Sequence, residues 1–313
     1  MGKDLMDLSV DVSGLKFQNP VVILSGCMEY DDDFQECIPV NQLAAYITKT
    51  ITLAERSGNP TPRTCEAAAG LINSVGLQNK GLYYYIKETL PELKELINIP
   101  IIASIAGFTI EEYASVASRL DKEDTVSALE VNISCPNLEK GISENTIFAQ
   151  DAYMSYGVVK AVKESTAKPV IVKLAPEVTD IKAIAQAVVD AGCDALTVAN
   201  TYPAMAVDIK FRKPKLGAVT GGLSGPCIKP LTLKKVWDVH TTVDVPLIAS
   251  GGIMNAEDAL EYIIAGASLI GLGTVNFINP RAGLEIIKGI RSYLTENKLK
   301  YNELIGSLKV EKI

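Results

Sequence analysis

Residues 128–137 read Ala-Leu-Glu-Val-Asn-Ile-Ser-Cys-Pro-Asn. They form a short buried strand that ends abruptly in amide, hydroxyl and thiol groups. Asn132 can donate and accept hydrogen bonds, and Cys135 can act as a base or a nucleophile. Pro136 has no backbone N–H to give to a ladder, so it stops the strand just past the thiol. The chain has a single histidine, His240. Acid–base chemistry near neutral pH therefore points first at Cys135.

Seven further aliphatic or β-branched runs resemble this one, at 20–26, 44–52, 100–107, 169–175, 195–201, 246–252 and 269–274. Most end in small or polar residues. Stretches with helical spacing lie between them. Ile181, Ile184, Ala185, Ala187 and Val188 make one stripe, Ala259, Leu260, Ile263 and Ile264 another, and Ile286, Ile287, Ile290 and Leu294 a third. Strands apolar on both faces that alternate with helices imply a parallel sheet. Eight such units predict a closed (β/α)8 barrel. The competing architecture is an open doubly wound sheet. It lacks its Gly-rich turn here, because the first run continues as Leu-Ser-Gly-Cys-Met-Glu-Tyr. The alternation of Leu8, Val10 and Val12, followed by Ser13-Gly14 and Leu15-Lys16-Phe17, predicts a hairpin before the first barrel strand. The segment 210–230 is rich in Gly, Pro and Lys without clear periodicity, and reads as a long functional loop over the mouth.

The chain has 313 residues, 48% hydrophobic and 21% charged, which suits a single α/β domain over 1–313 with a sizeable core. Its six cysteines are scattered, with no metal-like spacing, and read as reduced thiols in a cytoplasmic protein. The amino terminus has no signal-like apolar run, and no stretch approaches a membrane span. A net charge of −7 argues against a nucleic-acid surface.

In a barrel of this kind the active site lies at the carboxyl ends of the strands. Those ends carry Ser25, Lys49, Thr50, Asn132, Ser134, Cys135, Lys173, Asn200 and Thr201. A lysine among Val, Ile, Leu and Ala needs a partner or a route to water. Two of them, Lys49 and Lys173, at matching ends point to an anionic or electron-rich ligand. The plainer alternative is that each snorkels or pairs with a carboxylate. The last two units bring glycine to the mouth, as Ser250-Gly251-Gly252-Ile253 and Gly271-Leu272-Gly273-Thr274, each just before a helical stretch. Backbone amides at such turns can face an anion, so a phosphorylated cofactor fits this corner. Asp31-Asp32-Asp33 reads as a solvated loop, and His240 as a helix-end residue.

NSVGLQNKG at 73–81, NISCPN at 132–137, GGLSGPCIKP at 221–230, GGI at 251–253 and GLGT at 271–274 together resemble the class 1 dihydroorotate dehydrogenases, in order and spacing over about 8–294. Asn200-Thr201 followed by AMAVD, and RKPKLGAVTGGLSGPCIKPL, resemble the NAD-linked, two-subunit branch. The resemblance implies oxidation of dihydroorotate to orotate in pyrimidine synthesis. It implies FMN held by Ser25, Lys49, Thr50, Asn132, Lys173, Ala199, Gly225, Gly251, Gly252, Gly273 and Thr274. It implies substrate held by Lys49, Asn73, Ser74, Val75, Gly76, Leu77, Asn132, Asn200 and Thr201, with Cys135 as catalytic base and Lys49 offsetting negative charge. It also implies a homodimeric core joined to an electron-transfer subunit with FAD and a 2Fe–2S cluster, as a heterotetramer that reduces NAD. This chain carries neither a second nucleotide fold nor a cysteine cluster. It departs from the family pattern at Ser104, where asparagine is common, and at 138–152, where a Gly-rich stretch is usual. The alternatives are a stand-alone fumarate-linked or related flavoenzyme, and a barrel without turnover that serves in binding.

Overall fold

The eight apolar runs form the strands β1 (Val21–Ile23), β2 (Ala45–Ile47), β3 (Ile101–Ile105), β4 (Ala128–Asn132), β5 (Val170–Leu174), β6 (Ala195–Val198), β7 (Leu247–Ser250) and β8 (Leu269–Leu272). They come from a computed structural model that describes residues 6–28, 37–134 and 147–310. Each strand pairs in parallel with the next. The ring closes where Ile270, Gly271 and Leu272 of β8 lie against Val21, Val22 and Ile23 of β1. Every strand residue is buried except Asn132 at the carboxyl end of β4. The expected (β/α)8 barrel is therefore the fold, and burial on both faces explains why its strands lack polar alternation.

Helices follow the strands and cover the barrel, among them Ile110–Leu120, Ala152–Ser165, Ile181–Asp190, Lys229–His240, Ala256–Ile264 and Ala282–Asn297. Four begin at a polar cap. Thr109, Asp151, Asp180 and Asn255 accept from the amides of Glu112, Met154, Lys182 and Asp258. Each such cap contributes about 1 kcal/mol. The predicted hairpin pairs Val10–Val12 with Leu15–Phe17. Its buried Leu8, Val10, Val12 and Phe17 pack into the core, and Ser13 Oγ donates to the Asp194 carbonyl at 2.6 Å, just before β6. The hairpin thus closes the end opposite the mouth. His240 lies at that same end, as the last residue of its helix, packed beside Gly266 and Gly306.

The segment 210–230 is not irregular throughout. Thr220–Ser224 is a strand within it, the centre of an antiparallel sheet that pairs on one side with Tyr202–Met205 and on the other with Gly70–Asn73, which in turn pairs with Thr64–Ala67. These strands leave the barrel after β2 and β6, so the sheet stands over the mouth. The residues of Thr220–Ser224 are half-buried or exposed, and two glycines interrupt it, which removes both the apolar run and the alternation that mark a strand. Cys135 and Asp31-Asp32-Asp33 lie outside the described residues, as does most of 138–152, of which only 147–152 is described.

Candidate active site

The carboxyl ends of the strands surround a cleft of about 830 Å³, a size suited to a cofactor with a small ligand beside it. Of the residues expected at the site, every one among the described residues lines this cleft. Ser25, Lys49, Thr50, Asn132, Lys173, Ala199, Gly225, Gly251, Gly252, Gly273 and Thr274 are there, with Asn73, Ser74, Val75, Gly76, Leu77, Asn200 and Thr201.

One wall is a relay of hydroxyls. Thr50 Oγ1 lies 3.2 Å from Ser25 Oγ and 3.0 Å from Ser104 Oγ. Ser104 is fully buried behind Thr50 and does not line the cleft. The shorter side chain at this position thus bonds Thr50 from behind. A second wall is built of amides. Asn200 Nδ2 donates to Ser134 Oγ at 3.1 Å and to Asn132 Oδ1 at 3.4 Å, while the amide of Ser134 also donates to Asn132 Oδ1 at 3.2 Å. Tyr113 Oη holds the Asn132 carbonyl at 2.7 Å from outside the barrel. The side chains of Asn132 and Asn200 are thereby fixed, with further hydrogen-bonding capacity left for a planar polar ligand.

The third wall is the glycine corner. Gly252 has φ +73°, and a Cβ there would stand 2.9 Å from the Gly225 carbonyl oxygen and 2.8 Å from Lys229 Cβ. Tyr262 Oη donates to the carbonyl of Gly251 at 2.7 Å, and Thr274 Oγ1 bonds Ser224 Oγ at 2.7 Å. The buried Tyr262 thus holds the Gly251 backbone in place, and the half-buried Thr274 ties its turn to Ser224. The antiparallel sheet adds the roof. Gly222 leaves room for Thr201, whose Oγ1 would collide with a Cβ at position 222.

The two strand lysines differ. Lys173 is buried, with Nζ 3.8 Å from Glu130 Oε1, so it has a carboxylate beneath it. Lys49 packs its ammonium over Gly26 and pairs with no carboxylate among the described residues. Cys27 also faces the cleft, and burial pushes its thiol up to about 11, with Lys173 and Lys49 pulling the other way. It stays protonated in the neutral range.

Sequence reasoning missed Glu130 and Arg56. Glu130 is fully buried on β4, and its carboxylate was overlooked beside the more conspicuous amide and thiol; a charge inside an otherwise apolar run was the available signal. Arg56 lines the cleft with its guanidinium 4.4 Å from the Phe108 ring centroid. Only the density of turn residues after Ala54 marked that region.

The sequence profile of the family described as dihydroorotate dehydrogenase matches residues 7–294. The chain belongs to the dihydroorotate dehydrogenase family. It is accordingly an oxidoreductase, as the motifs around Asn132 and Gly221 implied. Relatives named dihydroorotate dehydrogenase B (NAD(+)), catalytic subunit, support the expected NAD-linked branch. That of Desulforamulus reducens is 48% identical over 303 residues, covering 96% of this chain and 98% of the relative. That of Geotalea uraniireducens is 47% identical over 309 residues, with 98% and 99% covered, and that of Geobacter metallireducens 46% over 305 residues, with 97% and 99% covered. Among the described residues no helix is long and apolar enough to cross a membrane.

Proposed function

We propose that this chain oxidises dihydroorotate to orotate with FMN bound in the cleft, and passes the electrons through a partner subunit with FAD and a 2Fe–2S cluster to NAD. The single observation that carries the reading is the meeting of Lys49, Lys173, the Asn132–Asn200 pair and the Gly225–Gly252 corner in one cleft. The residues fit the cofactor. The corner where a Cβ would collide with backbone suits a phosphate among amides, and Lys173 suits the electron-rich edge of a flavin ring. Ser25, Thr50, Ala199, Gly251, Gly273 and Thr274 complete its contacts.

The substrate lies between the amide wall and the roof. Asn73 through Leu77, Asn132, Asn200 and Thr201 bind its ring amides and its carboxylate, and buried amides of this kind reject analogues that cannot pair with them. Lys49, which pairs with no carboxylate among the described residues, offsets negative charge on the ring oxygen next to the reacting carbon. Cys135 takes the proton from that carbon as thiolate and is left as thiol. The chemistry that FMN supplies when bound is acceptance of the hydride from the carbon bearing the carboxylate, so the substrate loses one proton and one hydride in all. The relatives' name, catalytic subunit, supports a separate electron-transfer partner. A homodimeric core with two such partners is the assembly we expect.

Purifying the chain alone and adding dihydroorotate without oxygen tests the reading. A yellow protein that bleaches supports it, and a colourless protein that cannot be reconstituted with FMN sinks it.

A further inference from the structure

Glu130 lies one layer below the lining of the cleft. It is fully buried on β4, two residues before Asn132. Its two oxygens are used unequally. Oε2 accepts from Thr197 Oγ1 of β6 at 3.0 Å, whereas Oε1 has no hydrogen-bond partner among the described residues and faces Lys173 Nζ of β5 at 3.8 Å. That separation keeps the charges coupled but lies beyond a hydrogen bond, so the ammonium's donors stay available to a ligand above. Three neighbouring strands thus build a stack of Thr197 and Glu130 under Lys173. A charged group buried without full pairing is costly, and apolar residues of similar size would fill the same space without that cost. Among the described residues the Cys27 thiol feels the charges of Lys173, Lys49 and Glu130 together. The carboxylate is therefore electrostatically coupled to groups that line the cleft.

We propose that Glu130 is a positioning residue that holds Lys173 from below and offsets part of its charge, and so sets how strongly the site stabilises an anionic, reduced flavin. This rests on the reading that FMN occupies the cleft beside Lys173. Charge near the flavin ring is a lever by which a protein tunes its electronics. Removing the negative charge leaves Lys173 less compensated, which favours the anion. Thr197 fixes the rotamer, so the carboxylate acts at one distance.

Glu130→Gln keeps the shape and an oxygen for Thr197 while removing the charge. In the flavin-loaded chain it raises the two-electron midpoint potential, with a tenfold change in the reduction equilibrium appearing as about 30 mV. It also tightens binding of sulfite, an anion that adds to the oxidised flavin ring, by about the same tenfold factor. Glu130→Asp, which restores the charge, brings both values back toward the parent. In the parent protein, infrared difference spectra between oxidised and reduced flavin show an ionised carboxylate band that shifts on reduction, a readout available even if Glu130→Gln does not fold. Unchanged potential and sulfite affinity in Glu130→Gln, or an unresponsive carboxylate band in the parent, overturns this inference while the flavoenzyme reading stands. A parent chain that binds no FMN overturns both.

Discussion

At the scale of single residues, the proposed chemistry sets two thiols apart, Cys27 at the cleft and Cys135 as the base. Burial holds Cys27 as a thiol up to about 11, so it takes no proton in the neutral range. Cys135 follows Ser134 at the end of β4, and an ordinary cysteine titrates near about 8.5. Only the thiolate accepts a proton, so the rate of flavin reduction rises with pH through the weakly alkaline range. A rate that stays flat from about pH 6 to about pH 9, with chemistry limiting, contradicts a cysteine base. Cys135→Ser retains the flavin spectrum and slows bleaching by about 10²–10⁴-fold, the usual contribution of a general base. Stopped-flow reduction of the variant measures this, and bleaching at the parent rate assigns the proton elsewhere. Gly252→Ala acts differently. Its φ of +73° and the nearby Gly225 carbonyl make a methyl group costly there, by about 1–3 kcal/mol. The variant purifies with less FMN and melts lower, as fluorescence of released flavin and thermal unfolding would show.

At the scale of elements, the barrel was legible and its roof was not. The eight strands are buried on both faces, so their aliphatic runs appear in the sequence without any knowledge of neighbours. Lys49, Lys173 and Asn200 stood out because strand ends at the mouth are the places where an apolar run turns polar. Thr220–Ser224 carries no such mark. Its partners are Tyr202–Met205 and Gly70–Asn73, far away in the chain, and its glycines exist for close approach, with Gly222 against Thr201. Glu130 was missed for the opposite reason. Its role depends on Thr197 and Lys173 of two other strands, a relation that exists only once the barrel closes. The roof gives its own prediction. Gly222→Ala displaces Thr201, costing about 1–3 kcal/mol of packing. Because the change lies on the roof and away from the glycine corner, the KM for dihydroorotate rises about tenfold or more while the flavin content is kept. Equal loss of flavin and of substrate affinity would contradict a division between roof and corner.

At the scale of the whole molecule, a barrel closed at one end by a hairpin presents a cleft at the other, where we propose that FMN and substrate bind. The chain resembles the catalytic subunits of its family over nearly its full length. Among the described residues the strand ends surround one cleft, and with the proposed flavin in it NAD is expected to reoxidise the reduced chain quickly only after an electron-transfer subunit is added. Rapid reoxidation by fumarate would instead favour a stand-alone enzyme. The most direct test of the central claim is anaerobic titration of the flavin-loaded chain with dihydroorotate, followed at the visible flavin bands. The account predicts bleaching with release of orotate in equal amount to the flavin reduced. A flavin that stays oxidised in excess dihydroorotate would contradict it.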